Sequence, residues 1–511
     1  MLIALEIENF KGIATRQRID FAPLTLLFGA NSAGKSTILQ ALLYFHELVE
    51  RGSADVDRTE LGGEILELGG FARFVHRHDT TRAIVLRAEF TTPGGLERFG
   101  RGDLGSFFPN LDDDVASAWL ELTIRFRMTP NFRGPIVERA TIGVNGETEP
   151  LVWLEVGATL RDSEPLEVRI NRKHPLFSCE VQELTDVWES ISFRREAALE
   201  DFGEGTQSHD GGLPPIFALA RGRMSALPAP TEPLRVIPAG DDSPDTIRTA
   251  EEVRTFLELV VLGTTAQLAS LLRDALYIGP LRAIPTRGFL YERSGRLTSW
   301  ADGLAAWELL LADRLTLVER TNAWLRKFGA GCQVVVQYLF DRDAAAEALS
   351  ENHVNYMVRR LLLDTNAGSF VLPSEVGAGI SQLIPVIVAA IEGRGGLTLI
   401  EQPEIHIHPA LQVGLADLFI EAITRDHSRG LFLIETHSEH LILRLLRRIR
   451  ETTESELAKG APPFSEDKLS VIYVESPPGG VRVRQLRVDA QGEFVDRWPK
   501  GFFAERMQEL L

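Results

Sequence analysis

The sequence predicts an α/β fold with a parallel sheet, and three observations carry that prediction. A short apolar run, Leu24–Phe28, is followed at once by a Gly-rich segment from Gly29 and then by helical periodicity over Ser36–Leu48. Two further buried-strand candidates, Leu397–Ile400 and Leu431–Ile434, flank a helix-like stretch late in the chain. Strands that alternate with helices run parallel, because each crossover needs a helix lying on a sheet face. Between these ends the texture changes to short β-branched runs broken by turn pairs, which marks a β-rich and loop-rich middle.

The elements follow in order. Residues 2–8 mix apolar and acidic side chains like a half-buried strand, and Asn9-Phe10-Lys11-Gly12 reads as the turn after it. Leu24–Phe28 is apolar throughout and reads as a strand buried on both faces. In the middle, Arg82–Phe90, Ala118–Arg127, Ala140–Val144 and Leu166–Ile170 read as strands, with Asn145-Gly146 as a hairpin turn. Residues 201–250 are rich in Gly, Pro, Asp and Ser and predict a long loop. No chemistry is legible in this middle region, which reads as an antiparallel platform with an insertion. Helical pattern returns at Ala250–Leu276 and Leu304–Lys327, neither long enough for sustained heptads, and strands reappear from Val334. No internal repeat is visible.

Composition bounds the partners. The chain has 511 residues, with 54 Lys and Arg against 72 Asp and Glu, for a net charge of −18. That balance opposes a surface coated with phosphate-binding groups but leaves open a local basic stripe for nucleic acid. The two cysteines, Cys179 and Cys332, exclude a disulfide framework and a Cys-based zinc site, and fit a reducing compartment. The apolar start is broken by Glu6, and the longest purely apolar run, Leu383–Ile391, is too short for a bilayer core of about 30 Å. The expectation is a cytoplasmic protein with no membrane partner.

Gly29-Ala30-Asn31-Ser32-Ala33-Gly34-Lys35-Ser36 matches G-x-x-x-x-G-K-[ST] in full. The glycines let the backbone curl so that its N–H groups face phosphate oxygens, and the helix start adds the positive end of its dipole. Lys35 is expected to reach the β- and γ-phosphates of a nucleotide. Ser36 is expected to ligate Mg²⁺, with Thr37 one step further into the helix. Strand, loop and helix stand in the order this motif needs.

Past the second apolar strand come Glu401, Gln402, Pro403 and Glu404. An acid beside a P-loop holds Mg²⁺ and its waters, which suits Glu401. His406 and His408 stand at i, i+2, but Pro409 interrupts and no third ligand type is close. The third strand runs into Glu435-Thr436-His437-Ser438. A histidine at the C-terminal end of a strand can reach a γ-phosphate, because ligands of open α/β sheets gather there.

Together these segments resemble the SMC/RecF branch of ABC-type ATPases, most nearly the stand-alone group related to the overcoming-lysogenization-defect (OLD) ATPases. Asn9-Phe10-Lys11 looks like that group's opening and Gly29–Thr37 like its Walker A. Ile400–Glu404, running into His408-Pro409, is similar to its Walker B and D-loop, and Thr436-His437-Ser438 to its switch histidine. Val376-Gly377-Ala378-Gly379-Ile380-Ser381-Gln382 stands where the signature belongs. Ile278–Arg282 and the ending Trp498–Phe503 also look like this group, whose C-terminal domain is uncharacterised. The resemblance implies an ATPase head split between the N- and C-terminal parts. Its divisions would be 1–82 with Walker A, 83–250 as platform and insertion, 251–450 with signature, Walker B and switch, and 451–511 as a small C-terminal domain. It further implies a homodimer or higher homo-oligomer, with ATP held between the P-loop of one head and the signature, Gly379, Ser381 and Gln382, of the other.

Three departures qualify that expectation. Glu401 stands where most such proteins have Asp. Gln402 occupies the usual position of the catalytic glutamate and can orient water without accepting its proton, so hydrolysis is expected to be slow, with either Gln402 or Glu404 holding the water. The signature is not a clean LSGGQ, and either Gly377 or Ser381 is the candidate γ-phosphate contact. Leu469–Glu475 looks briefly like the opening of a Toprim nuclease, but no Asp-x-Asp follows, so an effector such as a nuclease is expected as a separate protein. Arg444, Arg447 and Arg448 share a helix face that suits phosphate, an acidic partner or solvent. The reading favoured is a sensor or clamp in prokaryotic defence or DNA maintenance. The alternatives are a RecF-like ATPase loading on DNA directly and a scaffold that binds nucleotide without hydrolysing it.

Overall fold

The structure, a computed structural model, describes residues 1–52, 54–55, 68–96, 115–130, 132–157, 166–171, 174–175, 217–219, 225–229, 233–238, 251, 253–273, 275–286, 289, 300–312, 315–339, 358–365, 368–393, 396–425 and 430–499. Most of the loop expected over 201–250, Cys179 and the end from Lys500 lie outside the described residues.

In chain order, β1 (Leu2–Glu8), β2 (Gln17–Asp20) and β3 (Leu24–Phe28) lead into α1 (Lys35–Arg51). Next come β4 (Ile84–Thr91), β5 (Ser117–Thr129), β6 (Phe132–Val144), β7 (Val152–Val156), β8 (Leu166–Ile170), β9 (Phe217–Leu219) and β10 (Val236–Pro238). A π-helical turn, Glu258–Gly263, runs into α2 (Thr264–Arg273), followed by β11 (Leu276–Ile278), α3 (Leu304–Leu311) and α4 (Leu315–Phe328). The chain continues with β12 (Cys332–Leu339), β13 (Val358–Thr365), β14 (Phe370–Val371), α5 (Ala378–Glu392) and β15 (Leu397–Glu401). It ends with α6 (Pro409–Thr424), β16 (Leu431–Glu435), α7 (Glu439–Thr453), β17 (Leu469–Glu475) and β18 (Arg482–Leu486).

These elements divide into two compact units. The first comprises Met1–Asp20, Gln40–Arg273 and Ser476–Arg482. Its centre is a nine-stranded sheet of order β10-β9-β8-β7-β6-β5-β4-β1-β2, with every neighbouring pair antiparallel. β4 shows why: Ile84, Leu86, Ala88 and Phe90 are buried and alternate with partly exposed residues, the period of a sheet with one covered face. Asn145 and Gly146 both take positive φ (54° and 71°) after β6, the backbone that favours this pair in a turn. Helix Val253–Arg273 is long and apolar enough, by length and composition, to cross a membrane; 72% of its apolar window is buried inside the fold, as in a core helix.

The second unit comprises Phe21–Leu39, Asp274–Glu475 and Val483–Leu511. Its six-stranded sheet has the order β11-β15-β16-β3-β17-β18, and β11, β15, β16, β3 and β17 are parallel. All five residues of β3, of β15 and of β16 are buried, as expected of strands covered on both faces. β17, read in the sequence as a possible nuclease opening, is the neighbour of β3 in this sheet. β12, β13 and β14 form a separate antiparallel sheet. The core is laid down by α5, buried without interruption from Ser381 to Ile391, together with α3, α4 and α6.

Caps set where the helices around the site begin. His408 accepts a hydrogen bond from Ala410 N (3.2 Å) and Pro409 fills the first turn of α6. Ser438 accepts from Leu441 N (3.1 Å) at the start of α7 and donates to Gln412 Oε1 (2.7 Å) on α6. The arginines of α7 are all engaged. Arg444 and Arg448 both grip Asp417 of α6 (2.8 and 2.7 Å), Arg447 pairs with Glu451 and Arg450 with Glu493. Burial alone would raise the Asp417 carboxyl, but the hydrogen bonds from Arg448 and Arg444 outweigh it and hold it below the usual range. Asp417→Asn takes from Arg444 its carboxylate partner and leaves Arg448 with Glu451 alone. It is expected to cost about 1–3 kcal/mol in denaturant unfolding, between the values of exposed and fully buried pairs.

Candidate functional site

β3 ends at Phe28 and the backbone curls at once. A side chain on Gly29 would put a Cβ 2.2 Å from the carbonyl oxygen of Val474 on β17, so only glycine lets the loop pass the neighbouring strand. Ser32 (φ 62°) and Gly34 (φ 103°) complete the curl, while Ala30, Asn31 and Ser32 are exposed on its rim and Ala33 is buried beneath it. Lys35 is 3% exposed. Its Nζ donates to the carbonyls of Gly29 (3.2 Å) and Ala30 (2.9 Å) and lies 3.5 Å from Glu435 Oε1. Thr37 is buried one residue past Ser36.

Because β16 runs between β3 and β15, the ends of three parallel strands meet at one place. Glu401 and Glu435 are the last residues of β15 and β16 and stand in register. The Ser36 hydroxyl is 2.7 Å from Glu435 Oε2 and 3.3 Å from Glu401 Oε2. Tyr277 of β11 donates its hydroxyl to the other oxygen of Glu401 (2.8 Å). Burial, and after it the Glu435 carboxylate, hold the Glu401 carboxyl above its ordinary range. Two carboxylates and a hydroxyl converging in this way form a hard-oxygen set that fits Mg²⁺, whose charge would relieve the repulsion between the acids.

Gln402 follows with left-handed backbone (φ 44°), its N–H donating to the Glu435 carbonyl (2.7 Å). Glu404 faces the other way. Its oxygens accept from Thr436 Oγ1 (2.9 Å) and from the backbone N–H of His437 (2.6 Å), so both are committed to fixing the loop after β16. Burial pushes the Glu404 carboxyl up, and these hydrogen bonds pull it back only in part. Burial, and then the Lys35 ammonium, hold the His437 imidazole below its ordinary value, hence neutral at pH 7. Its Nε2 is buried and has no hydrogen-bond partner among the described residues.

The signature segment divides. Ser381 is fully buried and donates to the Pro373 carbonyl (2.6 Å), and Gln382 is buried with its amide on the backbone of Arg282. Gly379 lies against the loop after β15, where a Cβ would stand 2.4 Å from the His406 carbonyl oxygen. The structure does not bring these three to the P-loop of the same unit. Gly377 and Ala378, at the start of α5, are exposed.

Of the residues expected at the site, Glu401 meets Ser36 of the P-loop, Gln402 follows it in the chain, and Glu404 is bonded to the backbone of His437. Three neighbours were not marked as site residues by the sequence. Glu435 carried the same signal as Glu401, an acid ending an apolar strand, and only the strand order shows that it is its equal. Tyr277 carried no signal, and Arg282 only its place in Ile278–Arg282, a segment that resembles the stand-alone ATPase group without a role for any one residue.

Comparison with known proteins finds ATPase domains at both ends. Residues 1–91 match the family described as "AAA ATPase domain", and residues 320–444 match the one described as "AAA domain, putative AbiEii toxin, Type IV TA system". No curated protein matches the chain. Among solved structures it is similar to an Smc head bound to the C-winged helix domain of ScpA, at 10% identity and TM-score 0.40 over 95% of this chain and 98% of that one. It is also similar to the Smc head domain with an extended coiled coil bound to the C-terminal domain of ScpA from Pyrococcus furiosus, at 10% identity and TM-score 0.37 over 100% and 98%. The SMC head domain from Thermotoga maritima gives 10% identity and TM-score 0.36 over 95% and 99%. The chain carries a P-loop ATPase head assembled from an N-terminal and a C-terminal segment of the sequence.

Proposed function

We propose that this protein binds Mg-ATP and hydrolyses it slowly, serving as a nucleotide-driven sensor or clamp. The observation that carries the reading is the convergence of Ser36, Glu401 and Glu435 beside Lys35, with Gln402 next in the chain. Lys35 binds the β- and γ-phosphates, Ser36 and the two carboxylates hold Mg²⁺, and His437 offers a neutral imidazole to a γ-phosphate oxygen. Bound Mg²⁺ neutralises charge on the phosphate oxygens. Gln402, whose side chain is not spent on the loop as that of Glu404 is, orients the attacking water. The exposed start of α5 supports pairing of two heads, with Gly377 rather than the buried Ser381 meeting the partner's nucleotide. The toxin–antitoxin wording of the C-terminal family description supports a place in prokaryotic defence alongside a separate effector. Pairing of the α7 arginines with carboxylates lowers the case for that helix as a DNA surface.

Gln402 also favours a second reading, a clamp that holds ATP without turnover. Phosphate release from purified protein with Mg-ATP, alone and with duplex DNA, decides between them. Release supports the slow ATPase, stimulation by DNA restores direct loading, and bound ATP without release supports the clamp. Gln402→Glu supplies a base where only a water-orienting amide stands. It is expected to raise single-turnover hydrolysis by about 100-fold or more, the lower end of what a positioned base contributes. An unchanged rate would remove Gln402 from the water site.

A further inference from the structure

The turn after β11, Gly279-Pro280-Leu281-Arg282, takes no part in nucleotide binding as described above, yet its last residue is built into the centre of the second unit. Leu281 is 76% exposed and Arg282 is 3% exposed. The backbone of Arg282 is held from both sides by one side chain of α5: its N–H donates to Gln382 Oε1 (3.1 Å) and its carbonyl accepts from Gln382 Nε2 (2.5 Å). The guanidinium then reaches the turn after β15, where Nη2 donates to the carbonyls of Glu401 (2.7 Å) and Gln402 (3.2 Å). Its Nε and Nη1 are buried and have no partner among the described residues.

That arrangement is expensive for a role in packing alone. A guanidinium in this position loses its hydration, and among the described residues no carboxylate is hydrogen-bonded to it, the Glu404 and Glu401 carboxylates acting on it only through space, so its burial offsets much of what its charge gains. Burial pulls its pKa down to about 10, which still leaves it charged at neutral pH. What the charge holds is specific. Gln402 has left-handed backbone, which a residue with a Cβ keeps only when its surroundings over-determine it. Its N–H is fixed by the Glu435 carbonyl, and its own carbonyl and the one before it are fixed by Arg282.

We infer that Arg282 is a positioning residue that locks the left-handed turn carrying Gln402 and ties it, through Gln382, to the start of α5. The inference rests on the reading of Gln402 as the group that orients water. A shift of α5 moves Arg282 with Gln382 and moves the water site in turn, so the exposed end of α5 and the scissile phosphate are linked within one head. The sequence resembles the ABC signature at Gln382, and the structure assigns that residue to the link.

The experiment compares wild type, Arg282→Lys, Arg282→Ala, Gln382→Ala, Gln402→Ala and the Arg282→Ala/Gln402→Ala double variant. Single-turnover hydrolysis, binding of a fluorescent ATP analogue and hydrogen exchange over Glu401–His408 are measured for each. Arg282→Ala is expected to lower the hydrolysis rate about 10–100-fold, the effect of misplacing a reacting group by about 1 Å, with analogue affinity within about threefold. Arg282→Lys, which keeps a donor but not the fork, recovers part of the loss, and Gln382→Ala loses less than Arg282→Ala. In the Gln402→Ala background, Arg282→Ala adds no further loss. Exchange over Glu401–His408 quickens in Arg282→Ala while β3 and β16 stay protected, a readout that does not depend on turnover or on the alanine variant alone, since Gln382→Ala moves it the same way. Multiplicative losses in the double variant, or unchanged exchange in both Arg282→Ala and Gln382→Ala, overturn the inference. A Gln402→Ala variant as fast as wild type instead overturns the reading of Gln402, and exchange alone then decides whether Arg282 holds the turn.

Discussion

Lys35→Ala is expected to abolish measurable phosphate release and to weaken ATP binding, the largest effect of any single change in the head. The ammonium is buried, reaches back over its own loop to two carbonyls and lies beside Glu435. Turning it toward a nucleotide exchanges those contacts for charge-assisted bonds to phosphate, with no new desolvation of the lysine to offset the gain. Loss of one such preorganised donor at a reacting oxygen costs about 10²–10³ in rate, which would take turnover as slow as that proposed below detection. Calorimetry with ATP and a phosphate-release assay check the two parts separately. Full turnover in Lys35→Ala would mean that the glycine-rich loop is not where ATP reacts.

Glu435→Gln is expected to raise the Mg²⁺ concentration needed for half-maximal turnover by about 10–100-fold, the usual cost of removing a group that supports a metal site. The substitution keeps the shape of the side chain and removes one of two carboxylates that meet at Ser36. It should change metal-free nucleotide binding less than the Mg²⁺ requirement, because Lys35 and the loop N–H groups remain in place, although Lys35 loses the carboxylate 3.5 Å from its Nζ. Thermal melts give a second check. In the wild type, Mg²⁺ relieves the repulsion between Glu401 and Glu435 and raises Tm through its preference for the folded state. In Glu435→Gln most of that gain disappears. An unchanged Mg²⁺ requirement would assign the metal to Glu401 alone.

Much of the site was legible because its chemistry is local. The loop from Gly29 to Ser36 is contiguous, and a run such as Leu24–Phe28 or Leu397–Ile400 announces a buried strand by being apolar at every position. β8 falls on Leu166–Ile170, as its β-branched, alternating residues predict. The rest depends on partners that sequence separation hides. Strand order puts β16 between β3 and β15 and makes Glu435 the equal of Glu401. Nothing in Leu469–Glu475 tells a strand of this sheet from the first strand of another domain, because both are apolar runs ending in an acid. Arg282 stands in a segment that resembles the stand-alone ATPase group, but what buries it, two backbone carbonyls and a glutamine amide, lies 100 to 120 residues further along the chain. Ser381 and Gln382 read as ligand contacts from their place in a motif; within one chain they are buried and hydrogen-bonded to the backbone of Pro373 and Arg282, partners the motif does not announce.

β3 is the strand that everything else is measured from, and both of its neighbours come from the other end of the chain. Its hydrogen bonds run to β16 and β17, and Ser36 meets Glu435 across 399 residues. While the residues between β3 and β16 are being made, an apolar strand is therefore out of the ribosome with neither edge covered, at risk of pairing with the wrong partner. Closing so long a loop before any contact rewards it makes this sheet a late and slow event in folding. Fragments that stop before β16 should behave as aggregation-prone chains rather than as small ATP-binding domains, and cells making this protein should depend on chaperones to bring its two ends together.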